Sequence, residues 1–271
     1  MPDLDDALGD AAGSLLVSRE AGVVTVELHR PERRNAVTYA MWAALGRVLP
    51  LLAADDEVDV LVLRGTPGGP FSAGADISEF RELRSTAEAA ARYGAAVEAG
   101  ESALVDFPKP TVALVQGWAV GGGTQLAVAC DLRVCDGTSR FGVPPAKLGI
   151  VYGLPSTARL VDVVGQSWAA FLLLTGDLVD AATALRVGLV HEVHPPEQVE
   201  ARAYELARGL ASRARVSQVG AKQLLRRIAE GRRDVDDEVR ETYARSLESR
   251  EYAEGVAAFL AKREPAFRAV R

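Results

Sequence analysis

The sequence has few of the residues that build disulfide frameworks or zinc sites. Among 271 residues there are two cysteines, Cys130 and Cys135, and three histidines, His29, His191 and His194. Their number and spacing predict neither a disulfide scaffold nor a zinc-ligand set. Hydrophobic residues make up 48% of the chain and charged residues 25%, as in an ordinary globular protein. We therefore expect one large domain, or one domain with an appendage, built on a hydrophobic core.

The chain also lacks an excess of positive charge and a long hydrophobic run. Its 31 basic and 37 acidic side chains give a net charge of −6 and are spread along the sequence. This distribution predicts no surface for nucleic acid and no polybasic membrane patch. No run is both apolar and long enough to span a membrane, and the first residues, MPDLDDALGD, are acidic, unlike a signal peptide. We expect a soluble, cytoplasmic protein.

The pattern of apolar residues indicates alternating strands and helices. Residues 14–28 hold two β-rich runs around EAG and predict a hairpin. Short apolar runs bounded by Asp or Gly predict strands buried on both faces at 58–65, 111–117 and, more weakly, 131–137. Helical spacing recurs at 38–53, about 78–105 and 122–130. The chain is therefore predicted to be an α/β protein with crossover connections.

The composition changes near a Pro pair at residues 195–196. Residues 197–263 are rich in Ala, Arg and Glu, with helical spacing and scattered Gly. We predict an α/β core over residues 1–196 and a helical C-terminal region over residues 197–271.

Two glycine-containing turns follow buried strands, at residues 68–80 and 121–131. Small residues let a backbone approach a ligand, and a helix that starts beside such a turn presents unpaired N–H groups. Two turns facing each other could form an oxyanion hole. An ordinary structural turn explains GGG about equally well. The glycines do not fit a dinucleotide-binding or P-loop motif.

Asp76 and Glu79 also have two interpretations. Asp at a helix start with Glu three residues later resembles a capping box, which satisfies free N–H groups without chemistry. A functional role for Glu79 is the less favoured alternative; it stays open because its helix would begin beside the predicted oxyanion hole.

Three ordered motifs carry a resemblance that covers nearly the whole chain. FSAGADISEF (71–80), VQGWAVGGGTQLAVACDLRV (115–134) and FGVPPAKLGI (141–150) strongly resemble the crotonase superfamily, also called the enoyl-CoA hydratase/isomerase family. HRPERRNAV (29–37) and SREYAEGVAAFLAKREPAF (249–267) resemble its first CoA-binding segment and its C-terminal helix. The resemblance implies a ClpP/crotonase-like spiral of ββα units with a helical C-terminal subdomain. It also implies a homotrimer or dimer of trimers and an acyl-CoA thioester substrate, with no metal or redox cofactor beyond the coenzyme A of the substrate.

The resemblance also implies roles for individual residues. The backbone N–H groups of Ala73 and Gly122 would form the oxyanion hole. The adenine end of coenzyme A would lie near these residues: Ala36, Gly74, Ala75, Asp76, Ile77, Phe259 and Lys262. Phe259 and Lys262 belong to the C-terminal helix, which often comes from a neighbouring subunit. A solvated lysine on a helix face is an equally good interpretation of Lys262.

The chain departs from the family at both catalytic acids. Hydratases of this family deliver water with two glutamates, at the positions of Gln125 and Pro145. Gln can hold a water molecule but cannot deprotonate it, and Pro has no polar side-chain group. General acid–base catalysis contributes about 10²–10⁴-fold per group, so ordinary hydration is not expected unless other groups replace them.

Replacement groups are few. Tyr152 is a candidate catalytic residue in the acyl pocket, although it could equally be a wall residue, and Lys147 is more readily explained as a surface residue. PPAKLGIVYG also resembles methylmalonyl-CoA decarboxylases, which carry the tyrosine but have a histidine where this chain has Ala75. Three hypotheses follow: a hydratase/isomerase-type enzyme with unusual groups, a decarboxylase of a malonyl-type acyl-CoA, and a non-catalytic acyl-CoA-binding protein.

Overall fold

The computed structural model describes residues 4–271; residues 1–3, which begin the acidic N-terminal segment and the predicted core, lie outside the described residues. The strands are β1 (Leu15–Glu20), β2 (Val23–Leu28), β3 (Val60–Gly65), β4 (Thr111–Val115), β5 (Trp118–Val120), β6 (Leu132–Asp136), β7 (Arg140–Gly142), β8 (Val179–Asp180) and β9 (Glu192–His194). The helices are α1 (Leu4–Leu8), α2 (Tyr39–Ala54), α3 (Phe80–Leu83), α4 (Ala87–Val105), α5 (Gly122–Ala129), α6 (Leu154–Thr175), α7 (Ala181–Arg186), α8 (Val199–Ala211), α9 (Arg215–Ala229), α10 (Asp237–Leu247), α11 (Arg250–Leu260) and α12 (Phe267–Val270).

A six-stranded sheet organises the fold, in the order β1-β2-β3-β4-β6-β9. Only the β1–β2 hairpin is antiparallel within it, and the other neighbours are parallel. Every residue of β3 and β4 is buried, which confirms the prediction of strands covered on both faces. A second sheet, β5-β7-β8, lies beyond the end of β4. The α/β fold class is confirmed.

The two faces of the large sheet pack against different helices. Alternating residues of β3 and β4 separate into two clusters, because side chains of a strand point to opposite faces in turn. Leu61 and Leu63 join the larger cluster with α2, α4 and α5. Val60 and Val62 pack with α8, whose buried positions repeat every four residues: Val199, Ala203, Ala207 and Ala211. The first helix of the predicted C-terminal region thus shares a core with the sheet, while the boundary at residue 196 stays a prediction.

The helix expected over residues 78–105 is divided. A 3-10 turn at Ile77–Glu79 leads into the short helix α3, and α4 then starts afresh after Thr86. The Thr86 hydroxyl accepts a hydrogen bond from the Ala89 N–H at 3.1 Å, as an N-cap does. This break brings Arg84 to the end of α3, against the start of α4.

Helix α6 corrects the expectation that no apolar run of the chain is long enough to span a membrane. By length and composition, α6 is apolar enough to cross a membrane, although such a helix alone is weak evidence for a span. Gly165, with φ 74° and ψ 160°, interrupts its helical geometry. Its Arg159 forms an ion pair with the buried Glu101 of α4 at 2.6 Å, which ties the helix to the core.

Helices α2 and α4 cross at small residues, and this contact fixes where α4 presents its inner face. A Cβ atom added to Gly100 would lie 2.7 Å from the Trp42 carbonyl oxygen, too close for a side chain. On the same helix Gly94 has open space, with nothing within 4 Å of an added Cβ. A side chain therefore fits at Gly94 but not at Gly100.

We expect Gly100→Ala to lower the free energy of unfolding by about 1–3 kcal/mol, because α2 and α4 must move apart. Gly94→Ala is the matched control and should raise stability by about 0.5–1 kcal/mol, since alanine favours the helix without a clash. Urea unfolding of both variants measures the difference. Equal stability of the two variants would contradict this account of the helix crossing.

Candidate active site

The two glycine turns predicted from sequence pack directly against each other. Gly74 has φ +97°, and a Cβ added there would lie 2.6 Å from the Val120 carbonyl oxygen. A Cβ on Gly123 would lie 2.6 Å from the Ser72 carbonyl oxygen. Because backbone touches backbone at both points, only glycine fits without displacement.

This contact places two backbone amides side by side. The Gly122 N–H begins α5 and therefore has no acceptor within its own helix. A Cβ added to Gly122 would lie 3.3 Å from the Ala75 nitrogen. Within residues 4–271, neither the Ala75 N–H nor the Gly122 N–H donates to another backbone or side-chain group. Two free donors of this kind can bind one oxygen atom that carries negative charge.

The geometry corrects the predicted partner of Gly122. The Ala73 N–H donates to the Arg34 carbonyl oxygen at 3.0 Å, so it is already used within the chain. The prediction that Ala73 supplies a hole donor is therefore wrong, and Ala75, two residues later, takes that position. Sequence spacing could not distinguish them, because the hydrogen bond to Arg34 joins segments distant in sequence.

A cavity of about 640 Å³ opens beside these amides. It collects most of the residues predicted for the site: Ala73, Gly74, Ala75, Ile77, Gly122, Gln125, Pro145 and Tyr152. It does not include Ala36, Asp76, Lys147, Phe259 or Lys262. One cavity therefore unites the two glycine turns, the start of α5 and the segment before α6.

Gln125 is held firmly within this cavity wall. Its side-chain Nε2 donates to a carboxylate oxygen of Glu101 and, at 2.9 Å, to the Ser156 hydroxyl. The Gln125 Oε1 accepts a long hydrogen bond of 3.4 Å from the Tyr152 hydroxyl. The amide therefore has a fixed orientation, with its oxygen toward Tyr152.

Glu101 is a site residue that the sequence reasoning missed. Its carboxylate is buried and accepts hydrogen bonds from Gln125, from Ser156 at 2.7 Å and from Arg159 at 3.0 Å. A signal existed, because Glu101 continues the buried face of α4 that contains Tyr93 and Leu104. An acidic residue on an apolar helix face needs partners, which other segments must supply.

Tyr152 lies in the wall of this cavity, and its place at an acyl pocket stays a prediction. Its hydroxyl donates to a side chain rather than to backbone. Burial and, to a smaller extent, the nearby Glu101 raise the pKa of Tyr152 well above its usual range. The hydroxyl is therefore protonated at neutral pH and can donate a proton but not accept one.

Asp76 caps its own turn as predicted, but Glu79 does not complete a capping box, because the Asp76 N–H donates to the Val37 carbonyl oxygen. Asp76 accepts hydrogen bonds from the N–H and hydroxyl of Ser78 and from Arg30 at 2.8 Å. The Glu79 carboxylate accepts from the Tyr39 N–H at the start of α2 at 2.8 Å, and burial raises its pKa. Both hold the first turn in place. Lys147 forms an exposed ion pair with Asp177, as its surface interpretation requires.

Some of the residues predicted for the adenine end of coenzyme A come together in one chain, since the Val37 N–H donates to the Gly74 carbonyl oxygen at 2.8 Å and places Ala36 beside residues 74–77. Ala36 is buried, and its carbonyl oxygen accepts from Arg30 at 2.8 Å. Phe259 is 84% exposed on α11, and Lys262 follows that helix with φ 52°. The adenine site remains a prediction.

The described residues also bear on two other kinds of chemistry, metal binding and reaction at a cysteine thiol. Over residues 4–271, no group of three or more His, Cys, Asp or Glu side chains could hold a metal ion. Cys130 and Cys135 are buried free thiols, and burial raises the pKa of each to about 12. Thiols that stay protonated are poor nucleophiles.

Comparison with known proteins agrees with this fold. The model of the family described as Enoyl-CoA hydratase/isomerase matches residues 18–269. An Escherichia coli protein named 2,3-dehydroadipyl-CoA hydratase is 34% identical, over 94% of this chain and 98% of its own length. A Thermus thermophilus protein named putative enoyl-CoA hydratase is 38% identical, over 93% of this chain and 100% of its own length.

Solved structures show the same similarity. An enoyl-CoA hydratase/carnithine racemase from Magnetospirillum magneticum superposes with a TM-score of 0.90 at 34% identity, covering 94% of this chain and 95% of that one. A putative enoyl-CoA hydratase/isomerase family protein from Hyphomonas neptunium gives a TM-score of 0.91 at 33% identity, covering 94% and 97%. The chain belongs to the enoyl-CoA hydratase/isomerase family and has the crotonase fold.

The hydrogen bonds of Asp76 give a pH-dependent prediction. Burial acts to raise the pKa of Asp76, but hydrogen bonds from Ser78 and Arg30 outweigh it and lower the pKa below 3.8. The stabilisation is therefore complete above the unfolded pKa and is lost as pH falls through the folded pKa. At pH 7, Asp76→Asn should lower the free energy of unfolding by about 1–3 kcal/mol.

Urea unfolding at pH 7 and at about pH 3 measures this effect. The difference between wild type and Asp76→Asn should shrink at the lower pH. Asp162→Asn, at an exposed position on α6, is the control and should change stability little at either pH. A difference that stays constant with pH would contradict a role for the ionised carboxylate.

Proposed function

We propose that this protein is an enzyme that acts on an acyl-CoA thioester through an enolate. The adjacent, unused N–H groups of Ala75 and Gly122 carry the proposal. They would donate to the thioester carbonyl oxygen as negative charge develops on it. Each such donor is worth roughly 3–4 kcal/mol in a site that excludes water.

The side chains near this hole support an enolate reaction other than water addition by a glutamate pair. Gln125 cannot deprotonate water, and Pro145 has no polar side-chain group. Two carboxylates line the cavity, the exposed Glu98 and the buried Glu101. Gln125, Ser156 and Arg159 already donate to the oxygens of Glu101. A carboxylate with these partners is a poor general base because proton transfer to it would disrupt them.

Two side chains are available for later steps. The Tyr152 hydroxyl stays protonated and lies beside the Gln125 oxygen. Burial makes it a weaker acid, but the carbon of a thioester enolate is a stronger base than a phenolate, so this hydroxyl would protonate it. The fixed Gln125 amide would hold it toward the acyl group. We propose Tyr152 as the proton donor and Gln125 as a residue that positions it.

Decarboxylation of a malonyl-type acyl-CoA is a second candidate, favoured by the same protonated tyrosine. The bond between the α-carbon and the carboxylate would break and release carbon dioxide. Its electron pair would enter the enolate that the two amides stabilise, and Tyr152 would then protonate the α-carbon. No base is needed in this sequence.

Hydration is the activity named for several relatives, including the Escherichia coli 2,3-dehydroadipyl-CoA hydratase and a Clostridium acetobutylicum short-chain-enoyl-CoA hydratase. Those names support an acyl-CoA substrate for this chain. Water addition here would need Glu101 to release one of its partners and act as the base. A protein that binds acyl-CoA without converting it is the remaining alternative.

We also propose that the chain works in a soluble, cytoplasmic homotrimer or dimer of trimers. Exposed apolar side chains on α6 and α11 support association through these helices: Leu154, Leu174, Phe259 and Leu260. Burial of such surface would stabilise contacts between subunits. A neighbouring subunit would then bring Phe259 and Lys262 to the coenzyme A site.

Mass spectrometry of acyl-CoA thioesters after incubation with the protein tests the reaction. We expect conversion within a panel of enoyl-, malonyl-type and branched thioesters, and the product mass separates gain of water from loss of carbon dioxide. Gly122→Ala should reduce turnover about 10²–10³-fold, because its Cβ would lie beside the Ala75 nitrogen. Tight binding without conversion of any thioester would rule out the enzyme and favour the binding protein.

Tyr152→Phe tests the proton donor. Removing the hydroxyl should lower kcat about 10²–10⁴-fold while KM changes little, because the ring still packs against the cavity. Lys147→Gln, at the exposed ion pair with Asp177, is the matched control and should keep full turnover. Unchanged kcat in Tyr152→Phe would show that Tyr152 is only a wall residue.

A further inference from the structure

The Arg84 guanidinium lies in the wall of the candidate active-site cavity, and no described residue accepts a hydrogen bond from it. Its guanidinium carbon lies 4.2 Å from the centre of the Phe80 ring and 4.5 Å from that of Tyr93, so two aromatic rings hold it in place. It lines the cavity, and its Nε atom is buried with no hydrogen-bond partner. Within residues 4–271, no carboxylate lies within ion-pair distance of it.

The buried Arg64 and Arg133 and the partly buried Arg159 have acceptors, whereas Arg84 is partly buried without one among the described residues. Arg64 pairs with Glu200 at 2.6 Å, and Arg159 pairs with Glu101 at 2.6 Å. Arg133 donates to the carbonyl oxygens of Leu189 and Cys130. Arg84 differs because its nearest groups are aromatic faces, which hold the cation but leave its forked N–H donors free.

Two further donors share the cavity wall with Arg84. The Trp42 indole nitrogen and the Tyr93 hydroxyl are buried and line the cavity, and within residues 4–271 neither forms a hydrogen bond of ordinary geometry. The indole lies near enough to the hydroxyl to act against the raised pKa of Tyr93. The Tyr93 ring lies against the Arg84 guanidinium. The Trp42 ring lies beside the predicted oxyanion hole, because a Cβ added to Gly122 would be 3.0 Å from the Trp42 Cζ2 atom. Unpaired buried donors are costly, so a ligand that accepts from them would be strongly favoured.

Acidic side chains of the cavity wall do not neutralise this group. Glu101 is paired with Arg159, and Glu98 is exposed. Among the described residues that line the cavity, Arg84 is therefore the cation, and no carboxylate pairs with it. The complementary ligand group is an anion with several acceptor atoms, such as a carboxylate.

Resting on the proposed function, we infer that the acyl group of the substrate carries a second carboxylate, which Arg84 binds with help from Trp42 and Tyr93. The substrate class is thus the CoA thioester of a dicarboxylic acid. This carboxylate is retained in the reaction. An ion pair stabilises a carboxylate in the ground state and would oppose its loss as carbon dioxide, so Arg84 serves recognition and not decarboxylation.

Paired thioesters of equal chain length test the inference by calorimetric titration. The probes are succinyl- and butyryl-CoA, glutaryl- and pentanoyl-CoA, adipyl- and hexanoyl-CoA, and free coenzyme A. They are saturated and carry no double bond to hydrate. At the chain length that fits, the wild type should bind the dicarboxylic thioester about tenfold to a hundredfold more tightly than its neutral partner.

Variants locate the source of this preference. Arg84→Gln should abolish it and leave the affinity for neutral thioesters nearly unchanged. Arg84→Lys keeps the charge without the fork and should retain a reduced preference, so it serves if Arg84→Gln does not fold. Arg81→Gln, an exposed arginine on the same short helix outside the cavity, is the control and should bind like the wild type.

The outcomes separate this inference from the proposed function. Equal affinity of the wild type for both members of every pair would overturn the inference and leave the acyl-CoA proposal intact. An equal loss for free coenzyme A and all thioesters in Arg84→Gln would show that Arg84 binds a phosphate of coenzyme A, which also overturns it. Failure of every thioester and of coenzyme A to bind would remove both.

Discussion

The contact between two glycine turns is the constraint on which the site depends. Gly74 packs on the Val120 carbonyl and Gly123 on the Ser72 carbonyl, at distances that exclude a side chain. These contacts bring the Ala75 nitrogen beside the start of α5, where Gly122 has an N–H without an acceptor. A backbone site of this kind requires little from side chains, so the surrounding residues are free to set the reaction and the substrate.

Those surrounding residues divide the cavity into two electrically different parts. Around Gln125, the ionic pair of Glu101 and Arg159 is satisfied and orients the amide and Tyr152. Around Tyr93, the Arg84 Nε–H and the Trp42 indole N–H form no hydrogen bond of ordinary geometry with any described residue. A satisfied network fixes geometry, whereas unsatisfied donors favour a ligand that completes them. The part around Gln125 therefore suits the proposed proton transfer, and the part around Tyr93 suits the proposed substrate recognition.

Much of the fold could be predicted because its signals are local. The β1–β2 hairpin, the buried strands β3 and β4, and the helices α2 and α5 follow from apolar runs and glycine punctuation. The break between α3 and α4 was missed, since the cap at Thr86 competes with an otherwise continuous helical pattern. The sequence predicts a helical C-terminal region packed on the α/β core, but not that α8 covers one face of the sheet, because its stripe of small residues does not specify its partner surface.

The sequence alone determined the α/β class and the two glycine turns, because residue identity and spacing are local properties. It also places Gln125 and Pro145 where the resemblance to the family predicts two acids. The tertiary structure decided which amide is free, Ala75 and not Ala73, because the competing acceptor on Arg34 comes from another segment. It also decided that Glu101 supports Gln125 and that Arg84 lacks a partner. Hydrogen bonding is set by which distant groups meet, and only the folded chain brings them together.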